Sequence, residues 1–119
     1  MPRLIPSPTQ IPVPGGKRID EYVGHVNSQT SGVSVAHMRS PAGWTEPGQR
    51  PTFQELTLVL RGLLRVEHTG GVLEVGAGQA IIAEPGEWVR YSTPMEEGAE
   101  YVAICLPAFT LSAANRDPE

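Results

Sequence analysis

The chain is 119 residues long, with 9 Lys and Arg against 13 Asp and Glu and a formal net charge of −4. That length fits one domain, and the acidic balance leaves no basic footprint for nucleic acid or an anionic membrane surface. Thirteen glycines and twelve prolines, more than a fifth of all residues, exclude long helices and point to short strands joined by tight turns. No window is apolar for long enough to span a bilayer.

The first sixteen residues, MPRLIPSPTQIPVPGG, contain five prolines and lack the continuous apolar run of a signal peptide. They read as an extended arm, residues 1–16. With Cys105 as the only cysteine, no internal disulfide is available, and the expected compartment is the cytoplasm. After the arm, 17–23 (KRIDEYV) reads as an edge strand with Ile19, Glu21 and Val23 on one side. The run 31–39 (SGVSVAHMR) reads as a second strand, and 40–51 (SPAGWTEPGQRP) as a loop by composition. The run 54–61 (QELTLVLR) is a strong strand pattern that Gly62 is expected to end. Two short strands, 63–68 and 72–75, flank Thr69-Gly70-Gly71, a hairpin turn. Strands at 79–83, 88–92 and 100–106 complete about eight, which means a sandwich or barrel. The barrel is expected over 17–109, with a polar, peripheral tail over 110–119.

Between Gly43 and Thr93 the sequence resembles the two motifs of the cupin superfamily. The first family motif is a glycine, five residues, His-x-His, three or four residues, a glutamate, six residues and a glycine. Gly43, Glu55 and Gly62 fall at those spacings, with Gln49 and Pro51 in the histidine places. The second is a glycine, five residues, Pro-x-Gly, two residues, a histidine, three residues and an asparagine. Gly78 and Gly86 match it, while Glu84, Val89 and Thr93 replace the proline, histidine and asparagine. Fifteen residues separate Gly62 from Gly78, the spacing of compact microbial members. The resemblance implies an all-β fold, the double-stranded β-helix or jelly-roll barrel.

It also implies a metal held by three histidines and a glutamate, which this sequence does not supply. Pro51 and Val89 have no side-chain donor, Gln49 is a weak neutral one, and Glu55 alone cannot hold a transition metal tightly. No metal and no other cofactor are expected. A metal-dependent dioxygenase would need His37, Glu55 and a further side chain in an unusual site. His25 and His68 flank turns and read as solvated.

Residues two apart on a strand share a face. Gln49, Phe53, Glu55, Thr57 and Val59 are therefore expected to face inward if no bulge intervenes. By the same parity Val89 and Tyr91 face in, and Trp88 and Arg90 face out. The expected cavity is mostly apolar with Glu55 and Tyr91 as its convergent polar groups, the usual make-up of a small-molecule pocket. Burial should raise the Glu55 pKa and suit it to acid or base work, with Tyr91 as donor; the alternative for both is structural pairing and packing. Gln49, Phe53, Thr57 and Val89 complete the expected ligand wall; His37 reads first as a satisfied structural histidine and otherwise as part of that wall, and Trp44 either lids the mouth or packs in the core or an interface. Cys105 reads as a small buried hydrophobe. Leu56, Leu58 and Leu60 give the opposite face an apolar surface that a homodimer would cover.

These residues point to a metal-independent protein that binds a small polar or anionic metabolite and transfers a proton, as an isomerase or lyase does. Two alternatives stand beside it. One is a binding or sensor module without turnover. The other follows from 55–62 (ELTLVLRG) and 86–94 (GEWVRYSTP), with Tyr101-Val102 and Leu106-Pro107-Ala108, which look like the ethanolamine-utilisation cupin described as an acetate kinase. No nucleotide motif accompanies that likeness, since Gly15-Gly16-Lys17 lacks the leading glycine and following Ser/Thr of a P-loop.

Overall fold

A computed structural model describes residues 1–118. Nine strands follow one another: β1 (Thr9–Ile11), β2 (Arg18–Val23), β3 (Ser34–Ser40), β4 (Trp44–Thr45), β5 (Gln54–His68), β6 (Gly71–Gly76), β7 (Ala80–Ala83), β8 (Val89–Thr93) and β9 (Ala99–Leu106). A short helix, α1 (Leu111–Ala114), comes last. All pairings are antiparallel. One sheet runs β1-β2-β3-β9-β5-β7 and the other β4-β8-β5-β6, so β5 belongs to both. The two sheets close on each other as a jelly-roll barrel, the expected fold class.

The passage of β5 between sheets explains why Gly62 does not end the strand. Gln54–Val59 pairs with β7 and β9, while Leu63–His68 pairs with β6 and β8. The register slips between Val59 and Arg61, and Gly62 takes φ 78° at the corner. A Cβ on Gly62 would lie 2.1 Å from the Gly98 carbonyl oxygen, so only glycine fits the approach. The slip also changes the inward parity. Glu55, Thr57 and Val59 face in before it, Leu64 and Val66 after it.

Val59, Leu64 and Val66 are fully enclosed and pack with Trp44, Val75, Val89, Tyr91 and Tyr101 in the main core. Each such aliphatic side chain stabilises the fold by about 1.5–3 kcal/mol relative to exposure. A second cluster joins Phe53, Cys105 and Ala114, with Phe109 tilted against Phe53 at 5.8 Å between ring centroids.

Three peripheral segments are more ordered than their composition suggests. The arm contributes β1, whose Ile11 pairs with Ile19 in β2. The loop before β5 contains β4, which pairs with β8, and Gln49, which bridges to both Val89 and Arg116. The polar tail folds back. Thr110 caps α1 by accepting the Ala113 amide at 3.0 Å, Ala114 is fully buried, and the Thr52 amide donates to the Ala113 carbonyl at 2.9 Å. The helix is too short to show a period, so composition alone made it look peripheral. Glu119, the last residue of the expected tail, lies outside the described residues. Among the described residues no helix is long and apolar enough to cross a membrane.

Candidate functional site

Inside the barrel lies a cavity of about 60 Å³. Gln49, Glu55, Thr57 and Tyr91 all line it, joined by Ile19, Ala36, Met38, Tyr101 and Cys105. Parity brings them together: β5 offers positions 55 and 57, and β8 offers Tyr91 between two outward residues. The Tyr91 hydroxyl donates to Glu55 Oε1 at 3.0 Å, and the Cys105 thiol lies 3.8 Å from Glu55 Oε2.

Burial raises the Glu55 pKa above the ordinary carboxylate value. The Tyr91 hydrogen bond opposes it, the Glu46 charge adds to it, and Lys17 and Cys105 pull the other way. Burial, and then the Glu55 charge, push Tyr91 well above the usual phenol range. Burial likewise pushes the Cys105 thiol far up, so it stays a neutral donor. The arrangement is a carboxyl poised to hold or give up a proton, fixed on one side by a phenol that remains protonated.

The other expected residues are placed differently. Phe53 is buried in the second core cluster beside Cys105 and does not line the cavity. Val89 faces inward but packs in the main core. His37 lies on the outer face of β3, between Ala36 and Met38 that line the cavity, with its Nε2 2.6 Å from Glu100 Oε2. It is a hydrogen-bonded structural residue rather than part of the ligand wall, because Ser34, Ala36 and Met38 take the inward parity. Trp44 is a core residue at the mouth, not a free lid. Its ring walls a second cavity of about 190 Å³ with Val13, Pro14 and Gly15. Arg90 points out and pairs with Glu67, as parity predicted.

Three charged residues that sequence reasoning missed stand where the two cavities meet: Lys17, Glu46 and Arg116 line both. Arg116 Nη2 pairs with Glu46 Oε2 at 3.5 Å, and its Nε donates to Gln49 Oε1 at 3.3 Å. Glu46 and Arg116 come from the loop and the tail, where no periodic pattern marks an inward position, whereas Lys17 heads the run 17–23 and shares the side of Ile19 and Glu21.

The positions of the family metal ligands do not fit a metal. The Gln49 amide oxygen already accepts from Arg116, Val89 is core, and Glu55 is the one strong donor left, engaged by Tyr91. Among the described residues no three His, Cys, Asp or Glu side chains gather as a ligand set.

No protein-family model matches the sequence. Over 107 residues the chain is 37% identical to Endoribonuclease YbeY of Myxococcus xanthus; the match takes in 90% of this chain and 36% of that protein, so the chain spans about a third of the relative's length. Among solved structures, a variant of oxalate decarboxylase from Bacillus subtilis superposes with a TM-score of 0.78 at 18% identity, covering 94% of this chain and 31% of that one. KdgF from Halomonas sp. gives 0.71 at 15% identity, covering 85% and 87%. Ethanolamine utilization protein Q from Salmonella typhimurium gives 0.62 at 21% identity, covering 78% and 71%. At these identities the likeness concerns architecture: the chain has the cupin β-barrel fold.

Proposed function

We propose that this cupin barrel binds a small polar or anionic metabolite without a metal and moves a proton on it through Glu55. The observation that supports this reading most is the buried Tyr91–Glu55 hydrogen bond inside the barrel cavity. A carboxyl whose proton affinity is raised by burial can take a proton from a carbon next to a carbonyl. The C–H bond breaks, an O–H bond forms on Glu55, and the electron pair passes to the carbonyl oxygen as an enolate. Return of the proton to the same or a neighbouring atom completes an isomerisation or an exchange. Tyr91 holds the carboxyl in place and keeps its own proton.

The cavity sizes favour a ligand of few heavy atoms. At about 60 and 190 Å³, both fall below the roughly 300–1,000 Å³ of sites for drug-sized ligands. Neither is the size of a nucleotide site, which weighs against phosphoryl transfer from a nucleoside triphosphate. The net charge of −4 likewise favours a metabolite over RNA for this region, whatever the whole endoribonuclease relative does. The lone buried Cys105 suits a reducing compartment such as the cytoplasm.

The test is proton NMR in D2O with small carbonyl compounds, after dialysis against a chelator. Wild type should catalyse exchange of hydrogen for deuterium next to the carbonyl, and Glu55→Gln should bind without exchanging. Exchange that survives Glu55→Gln, or that the chelator abolishes, refutes the reading.

The outer face supports a homodimer. Leu58, Leu60, Ile82 and Leu106 are 43%, 48%, 61% and 38% exposed. They adjoin half-buried Leu56, Val102 and Ile104 across β7, β5 and β9, an apolar patch on one sheet. Arg39, Glu100 and Arg61 border it with both signs of charge, which suits a second copy of the same face.

A further inference from the structure

Lys17 is the cation at this site without a carboxylate partner. Arg116 is engaged by Glu46 and Gln49. Glu21 lines the inner cavity too, but its Oε2 accepts the Val26 and Asn27 amides, each at 3.0 Å. Among the described residues no carboxylate lies within ion-pairing distance of Lys17. Its Nζ instead sits 4.3 Å from the Trp44 ring centroid and 5.6 Å from that of Tyr101. Two aromatic faces steady the ammonium electrostatically, and the one acceptor beside it is the neutral Tyr101 hydroxyl rather than a carboxylate. The Tyr101 hydroxyl bonds Ser40 Oγ at 2.8 Å, which fixes that ring.

We propose that Lys17 is the anchor for the carboxylate of a short-chain carboxylic acid, held at the junction of the two cavities with its carbon chain directed to Glu55. This rests on the proton-transfer reading of the same cavity and names its substrate class. Lys17 is half-buried at the end of the arm, so an incoming anion meets it before reaching Glu55. An ammonium with three donors and no carboxylate partner binds a carboxylate by charge-assisted hydrogen bonds. The inner chamber leaves room for only a few carbon atoms beyond that charge. Glu46 is paired with Arg116 and is not bonded to Lys17.

The test compares pyruvate and lactate with pyruvamide and lactamide by saturation-transfer NMR and titration, on wild type, Lys17→Met and Lys17→Arg. Wild type should prefer each acid to its amide by tenfold or more, and the preference should weaken as salt is added. Lys17→Met should bind acid and amide alike, at about the wild-type affinity for the amide, and Lys17→Arg should restore most of the preference. Equal binding of acids and amides by wild type overturns the proposal, even if no variant folds. So does an acid preference that survives Lys17→Met. In both cases binding and exchange dependent on Glu55 leave the proton-transfer reading standing. Failure of every acid and amide to bind wild type overturns the proposal as well, while exchange on other carbonyl compounds decides the reading of Glu55 separately.

Discussion

Replacing Glu55 by glutamine should flatten the dependence of folding stability on pH. Burial raises the Glu55 pKa in the folded chain above its unfolded value. A carboxyl raised in this way contributes stability that is fully present below the unfolded pKa, about 4.3 for glutamate, and lost as pH rises through the folded value. Between those two values the folded chain binds more protons than the unfolded one, so stability falls with rising pH. One group sets the limiting slope at about 1.4 kcal/mol per pH unit. The other shifted carboxylates do not mask it. Glu67 and Glu100 are held below the ordinary range by hydrogen bonds to Arg90 and His37, so their titration lies at more acid pH. Tyr91, Tyr101 and Cys105 are all pushed upward. Urea unfolding followed by circular dichroism, at half-unit steps from pH 4.5 to 8, measures the difference between wild type and Glu55→Gln. Wild type should lose stability relative to the variant as pH rises, with a slope no steeper than that limit. Two parallel curves would refute the claim that Glu55 is buried as an acid.

Two further outcomes follow from the fold. Gly62→Ala and Gly43→Ala both place alanine at a positive φ, 78° and 76°, which costs about 1–2 kcal/mol. Only the Gly62 methyl meets backbone, while Gly43 faces open space. Gly62→Ala should therefore cost about 1–3 kcal/mol more, read as a lower urea midpoint, and equal losses would contradict the corner geometry. Leu58→Lys combined with Ile82→Lys should convert a dimer to a monomer in sedimentation velocity without loss of strand signal, and a monomeric wild type would remove the proposed dimer.

Much of the barrel was legible because glycine spacing marks corners and alternation marks faces. Glu55, Thr57, Val89 and Tyr91 all point inward as alternation predicted. The errors have physical causes. A glycine that ends a strand and one that lets it cross between sheets look the same in sequence, as Gly62 shows. Of the two readings open for His37, the structural one holds, because its place on β3 faces outward. The inner positions of β3 are Ser34, Ala36 and Met38, while Val35 lies on the outer, apolar face. Glu46 and Arg116 were missed because each lies outside a regular run, in segments that only tertiary folding brings to one mouth; Lys17 shares the parity of Ile19 and Glu21 in the run 17–23, a signal that went unused.

The strand β1 occupies the margin of its sheet and is held there by three register pairs with β2. Its Ile11 is nonetheless one wall of the inner chamber. Such a short edge frays at little free-energy cost, whereas Glu55 is anchored between β7 and β9. Loosening of the arm would therefore reshape one wall of the chamber while the Glu55 carboxyl stays where it is. The chamber has one side held by three residue pairs and another held by strands on both flanks, so its shape can yield on the first side alone.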